Sequence, residues 1–285
     1  MPEVPAGVRP GEVVRVVLTD FDASERRIWA GRATAYADSF GKVCAHPVPQ
    51  LLDAARVREG VRVLDVGTGT GTVAAAACAR GARVTGVDAE ISMVELAARS
   101  VPSAEIHLAE LPRLPFSEGL FDAVTANFVL NHVGRPEAAL AELRRVVRPG
   151  GWIAVTIWAV PAAAGQTLLG RAVEAAGASR PSHLPALAAD DDFPRTGAGL
   201  TDLLTSAGLK DAVCEPLHWN HIAGAEEWWR GAADGIGTIG RTVLSQPEHV
   251  RAEIERHFLR LSAEFSTPEG QLALPHSALL ARGRR

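Results

Sequence analysis

The chain has 285 residues, 47% of them apolar, which allows one large or two small domains with a packed core. Its 33 acidic residues outnumber 29 lysines and arginines, for a formal net charge of -4 and no run of basic residues, so a phosphate backbone meets no complementary surface and nucleic acid is not expected as a partner. The three cysteines, Cys44, Cys78 and Cys214, are too far apart for a C-x-x-C metal site or a disulfide framework, no apolar run approaches the ~20 residues of a membrane span, and Met1-Pro2-Glu3-Val4-Pro5 lacks the charged and apolar regions of a secretion signal. The expectation is a soluble protein of the reducing cytoplasm, with no membrane partner and no metal.

In chain order, the apolar patch Val13-Val14-Arg15-Val16-Val17-Leu18 reads either as a short strand or as an arm that packs on a partner, which leaves a homodimer open. Asp22-Ala23-Ser24-Glu25 has the form of a capping box with aspartate in the cap position, and predicts a helix through Ile28, Trp29 and Ala33 towards Tyr36, followed by a second helix over about 49–55. Residues 61–66 form a buried strand that runs into Gly67-Thr68-Gly69-Thr70-Gly71 and then a helix over 72–80, which Gly81 ends. A second strand over 83–87 ends in Asp88, a helix covers 91–100, and a third strand covers 105–108. Glu110, then Leu114-Pro115-Phe116, lead to a fourth strand over 123–126, a turn or short helix over 128–133, a helix over 136–146, and a fifth strand over 152–158 introduced by Arg148-Pro149-Gly150-Gly151. Beyond this, helices are predicted over 165–176, 201–207, 226–233 and 248–265, and strands over 213–218 and 274–281.

Three glycines at alternate positions allow backbone dihedrals closed to other residues and let a ligand lie against the main chain. The dinucleotide fingerprint wants glycine at the first, third and sixth places, but counting from Gly67 the sixth is Thr72, so a pyrophosphate is not the favoured guest. Asp65 puts a carboxylate at the mouth of the turn. Asp88 stands at the separation from the glycines where a carboxylate after the second strand of a βαβ unit reaches two ribose hydroxyls, the alternative being that it caps the next helix. Ala89 and Met93 would then stand beside the adenine, although Met93 at helical spacing is by default a core residue.

This order of motifs, a strand with an acidic residue before G-x-G-x-G, Asp88 at the second strand end, Glu110 ahead of Leu-Pro-Phe and then R-P-G-G, resembles the class I S-adenosylmethionine (SAM) dependent methyltransferases over roughly residues 33–160. The resemblance implies an α/β fold, a Rossmann-like seven-stranded and mostly parallel sheet with helices on both faces and a helical cap. It divides the chain into an N-terminal helical lid (1–56), a SAM-binding core (57–222), a cap insertion (223–270) and a last core strand with tail (271–285). It implies SAM as cofactor, the methionine part held at Asp65, Gly67, Thr68 and Gly69, with Asn127 and Leu111 beside the ligand. Glu110 would accept from the adenine amino group, though aspartate is commoner there. Tyr36 would give its hydroxyl to the SAM carboxylate or cover a substrate, against the plainer reading of a core aromatic with one wet end. Trp219, Trp228 and Trp229 either line an apolar acceptor pocket or supply the core of the cap.

Methyl transfer is an in-line displacement, so the protein mainly aligns the nucleophile and excludes water, and a base is needed only for an acceptor that must lose a proton. His132, after the fourth strand, is the candidate base, with His183, His218 and His221 as alternatives. The expected activity is methylation of a small-molecule acceptor, oxygen first and then carboxylate, amine or carbon, in specialised metabolism. The rivals are an NAD(P)-dependent oxidoreductase, which shares the βαβ unit, and a SAM-binding protein of the same fold that transfers no methyl group.

Overall fold

The computed structural model describes residues 19–285. The patch over 13–18 lies outside them. Four helices open the described chain: α1 (Asp20–Trp29), α2 (Ala33–Asp38), α3 (Phe40–Cys44) and α4 (Val48–Ala54). Thr19, three residues before the expected cap, starts α1: its hydroxyl accepts from the Asp22 amide at 3.1 Å while the Asp22 carboxylate accepts from the Thr19 amide at 3.0 Å. Asp22 is thus the third residue of the helix and not its cap. The expected continuation to Tyr36 breaks at Gly31, whose φ of +69° ends α1 and frees α2 to turn.

The alternation that follows is β1 (Arg62–Val66), α5 (Thr72–Ala79), β2 (Arg83–Asp88), α6 (Ile91–Ser100), β3 (Glu105–Leu108), β4 (Phe121–Asn127), α7 (Pro136–Val146) and β5 (Val147–Trp158). Then come α8 (Ala164–Ala175), α9 (Gly197–Ser206), β6 (Lys210–Ala223), α10 (Ala225–Ala233), α11 (Gly237–Leu244), α12 (Glu248–Ser262) and β7 (Leu272–Arg284). The seven strands form one sheet in the order β3-β2-β1-β4-β5-β7-β6, parallel from β3 to β5, with β7 antiparallel to both neighbours.

Two cores sandwich the sheet. Leu64, Val66, Val124 and Ile153 face α7 and α9 through Leu140, Leu143 and Leu200. Val63, Ala123 and Ala154 face α4 and α5 through Leu51, Leu52, Val73 and Ala77. Inner strands apolar on both sides are what a parallel sheet covered on both faces requires. A third core, in which Leu168, Trp228, Trp229, Ile254 and Phe258 meet Leu274, joins α8, α10 and α12 over the start of β7.

Strands β6 and β7 are much longer than their apolar segments indicated. They pair antiparallel from Lys210↔Arg284 to Ala223↔Leu272, and because β6 is an edge strand with one wet face its outer positions are polar, which hides its length from an apolar pattern. Helices α3 and α11 were not anticipated; α11 is glycine-rich because a Cβ at Gly240 would stand 2.4 Å from the Gly235 carbonyl carbon. Between β1 and β4 the connections leave in opposite directions, and the crevice at this switch point opens at the carboxyl ends of the strands.

Candidate functional site

The turn after β1 carries Gly67, Gly69 and Gly71 at φ +62°, +55° and +93°, the left-handed region that penalises any Cβ. At Gly67 a Cβ would also stand 2.4 Å from Val129 Cγ2. Asp88, at the end of β2, clamps this turn: one carboxylate oxygen accepts from the Gly69 amide at 2.8 Å, the other from the Glu90 amide at 3.0 Å. Burial pushes its pKa up, partly offset by these two donors. Capping of α6, the alternative role for Asp88, belongs to Glu90, whose carboxylate accepts from the Met93 amide at 3.1 Å.

Asp65 and Thr68 are not where the sequence put them. Asp65 is 1% exposed and lies behind the turn, its oxygens accepting from the Thr68 hydroxyl at 2.7 Å and the Thr125 hydroxyl at 3.0 Å. The register sets this, since Asp65 pairs with Thr125 across β1 and β4 and shares a side of the sheet with it. Desolvation pushes its pKa up to about 7. Neither residue lines the cavity in front of the turn; they brace the turn from beneath.

That cavity has a volume of about 890 Å³. Gly67, Gly69 and Asp88 form one wall. Beside them Ala89, Met93 and Leu111 border a slot whose flanks are Ile91 and Leu108, 53% and 56% exposed, two apolar side chains left wet at the rim of a ligand site. Glu110 also lines the cavity and is ion-paired with Arg26 of α1, which joins the lid helix to the far rim. Tyr36 roofs the turn, its ring 3.7 Å from where a Gly69 Cβ would stand, and its hydroxyl is hydrogen-bonded to the Cys44 thiol. Burial pushes the tyrosine hydroxyl up and the thiol to about 12. Asn127 borders the cavity with its side chain engaged, donating to the Cys44 carbonyl at 2.8 Å and accepting from the Thr156 hydroxyl at 2.6 Å.

His132 lines the same cavity. Its Nδ1 lies 2.7 Å from the buried Glu25 carboxylate, and the Trp29 indole N–H donates to the same oxygen at 3.2 Å while its ring stands edge-on to the imidazole. A carboxylate at Nδ1 fixes the tautomer that leaves the Nε2 lone pair free, the arrangement of an oriented general base. Sequence reasoning missed Glu25, Arg26 and Trp29 as site residues. Their helical spacing was readable, but nothing along the chain links Glu25 to a histidine 107 positions away. The other histidines named from sequence, His183, His218 and His221, do not line the cavity, whereas His276 does.

Phe128, held at φ +60°, also lines the cavity and stacks on Trp158 with centroids 4.0 Å apart. Non-glycine residues in this region are strained and cluster at ligand sites. The tryptophans divide: Trp228 lines the cavity as well as the cap core, Trp229 stacks on Phe258 within that core, and Trp219 packs between His46 and His276. Among the described residues no cluster of three or more histidine, cysteine, aspartate or glutamate side chains could hold a metal ion.

Residues 64–155 match the family model described as a methyltransferase domain. A demethylmenaquinone methyltransferase of Beutenbergia cavernae is 41% identical over 110 residues, 39% of this chain and 46% of that protein. An uncharacterized 37.1 kDa protein in transposon TN4556 of Streptomyces fradiae is 42% identical over 107 residues, 35% and 31% of the two chains. The chain therefore spans less than half the length of these relatives. Among solved structures, the YcgJ protein of Bacillus subtilis superposes with a TM-score of 0.52 at 20% identity, over 84% of this chain and 98% of that one. A phosphoethanolamine N-methyltransferase of Haemonchus contortus gives 0.51 at 16% identity, over 92% and 60%. The seven-stranded sheet with its glycine turn is the class I SAM-dependent methyltransferase fold. Residues 64–155 are similar to the methyltransferase domain, and SAM is the cofactor of such domains.

Proposed function

We propose that this protein methylates a hydroxyl of a small organic acceptor, with SAM as donor and His132 as the general base. The observation that carries this reading is a single cavity bordered by both the Gly67–Gly69 turn with Asp88 and the Glu25-oriented His132. Its volume of about 890 Å³ lies at the upper end of the ~300–1,000 Å³ usual for ligand pockets, room for a cofactor and a second molecule.

The residues present fit SAM. Positive-φ glycines leave the turn free of side chains, Asp88 has its carboxylate at the cavity wall for ribose hydroxyls, and the wet apolar flanks Ile91 and Leu108, with Ala89, Met93 and Leu111, suit an adenine ring. Glu110 is available to the adenine amino group on release from Arg26, and Tyr36 and Asn127 close the methionine side. Bound there, SAM supplies a sulfonium-activated methyl group. His132 Nε2 takes the proton of the acceptor hydroxyl, and the Glu25 carboxylate stabilises the imidazolium that forms. The helices before β1 and the segment α10–α12 act as the lid that excludes water. A place in specialised metabolism, in the cytoplasm, completes the reading; it draws on the acidic, lysine-poor composition, and among the described residues no helix is long and apolar enough to cross a membrane.

Calorimetric titration with SAM and with NADH, followed by transfer of labelled methyl from SAM across a panel of alcohols, phenols, amines and carboxylates, tests the proposal. SAM binding with transfer to hydroxyls is expected. Preference for NADH would reverse it. Firm SAM binding without transfer would favour a non-transferring role, for which a [4+2]-cyclase, SpnF, with a TM-score of 0.50 at 18% identity over 84% of this chain and 80% of its own, offers a likeness of fold alone.

A further inference from the structure

The end of the cavity bordered by Trp158 and Trp228 holds two polar groups that neither the cofactor residues nor the His132–Glu25 pair uses. His276, on β7, is 3% exposed and lines the cavity. Its Nδ1 lies 2.8 Å from the Leu274 carbonyl, which can only accept, so Nδ1 carries the hydrogen and Nε2 presents a lone pair. Burial lowers its pKa to about 4, so this ring is neutral near pH 7. Nε2 has no protein partner among the described residues and is not among the polar atoms sealed from solvent. Gln166, on α8, is the complement. Its carbonyl oxygen accepts from the Ala163 amide at 2.9 Å, the Ser277 amide at 2.9 Å and the Ser277 hydroxyl at 3.2 Å. Three donors on one oxygen fix the carboxamide orientation and leave its NH2 group as a donor without a partner among the described residues, in a side chain that lines the cavity.

The two groups are locked together, because Ser277, which holds Gln166, directly follows His276. Around them the walls are flat and aromatic. Trp158, stacked on Phe128, has its centroid 6.0 Å from that of His276, and Trp228 stands edge-on to the imidazole at 5.4 Å. A fixed acceptor and a fixed donor between flat rings match a planar ligand with an oxygen that can both donate and accept, since an unpaired buried polar group is costly.

We propose that this end of the cavity anchors a planar aromatic acceptor through a second oxygen substituent, a hydroxyl that donates to His276 Nε2 and accepts from the Gln166 amide, while its ring lies against Trp158. This deepens the function proposed above, naming the acceptor class as an aromatic ring with at least two oxygen substituents, one reacting at His132 and one held by His276 and Gln166. Aliphatic alcohols would lack the stacking contact, and rings with one hydroxyl would leave the anchor unpaired.

The test is tryptophan-fluorescence titration of the 285-residue chain with 2,7-dihydroxynaphthalene, 2-naphthol and 1,4-cyclohexanediol, with and without saturating S-adenosylhomocysteine. The expected result is saturable binding of the naphthalenediol at least about tenfold tighter than either comparison ligand, the order expected from one added hydrogen bond or one lost ring contact. In the His276→Phe and Gln166→Leu variants the diol and 2-naphthol should bind alike, with S-adenosylhomocysteine affinity unchanged. Equal binding of the three ligands by the parent protein, or variants that keep the preference for the diol, overturns the proposal. Should His276→Phe fail to fold, Gln166→Leu and the parent's ligand order decide it. A protein that binds the diol selectively but does not bind S-adenosylhomocysteine refutes the function proposed above while leaving the aromatic subsite standing, so the two failures are distinguishable.

Discussion

The two ends of the cavity are built by different means. The wall proposed for the cofactor comes from the turns after β1, β2 and β3, within residues 67–111, and its central contact is a backbone amide of the glycine turn held by Asp88. The other end is assembled from side chains on α1, β5, α8, α10 and β7, from Glu25 to His276, ordered by partners far away in the chain. A main-chain cradle tolerates little change, because the glycines are required by dihedral and by space. A side-chain chamber can be re-lined one residue at a time while the sheet beneath stays the same, which is how one fold serves many acceptors.

If that contrast is right, the largest losses follow from damage to the cradle. Asp88→Ala removes two charge-assisted hydrogen bonds to backbone amides along with the expected ribose partner, and should weaken SAM binding about 100-fold or more in calorimetry. Gly67→Val, which meets Val129, should abolish binding altogether. Variants of both kinds that hold SAM as firmly as the parent would sink the contrast at its base. Next in size, His132→Ala should lower kcat by about 10²–10⁴ while SAM affinity is kept, the range for loss of a general base; undiminished turnover would remove His132 from the chemistry. Glu25→Gln acts through His132 and should cost less, about tenfold in kcat, with a shifted pH profile of kcat and an unchanged KM for SAM. A flat pH response would reduce Glu25 to a packing residue.

The smallest effects concern stability against pH, and here the two regions have opposite signs. His221 and His276, near the acceptor end, have pKa values lowered by burial to about 4. Between about 6.5, the unfolded value, and 4 the unfolded chain binds more protons than the folded one, so their contribution falls as pH falls. Asp65, beneath the turn, is raised to about 7, so between that value and about 3.9 the folded chain binds more protons and its contribution grows as pH falls. In the parent these partly offset each other. Thermal melts of Asp65→Asn should therefore show a steeper loss of stability from pH 6.5 to 4 than the parent. Parallel pH curves would contradict this.

Much of the core was legible because its signals are local. Apolar runs bounded by glycine give β1, β2, β4 and the heart of β5, and α6 and α7 begin and end where their residues predict. Even inside a motif, however, reading along the chain assigned the wrong direction to Asp65 and Thr68, since whether a strand residue faces ligand or core depends on register with a neighbour, here Thr125 of β4. The same limit hid the length of β6, whose polar positions become strand only through pairing with β7.

The sequence by itself determined the parallel half of the sheet, the glycine turn and the place of Asp88 at the end of β2, because positive φ, apolar periodicity and strand-end spacing are properties of adjacent residues. Only the tertiary structure decided that Glu25 orients His132, that Arg26 closes on Glu110, and that Gln166 and His276 share one end of the cavity with Trp158. Those contacts join segments more than 80 residues apart, and the Gln166–Ser277 bond spans 111; no local preference encodes them, and they exist because packing α1 and α8 against the sheet brings their side chains to the same crevice.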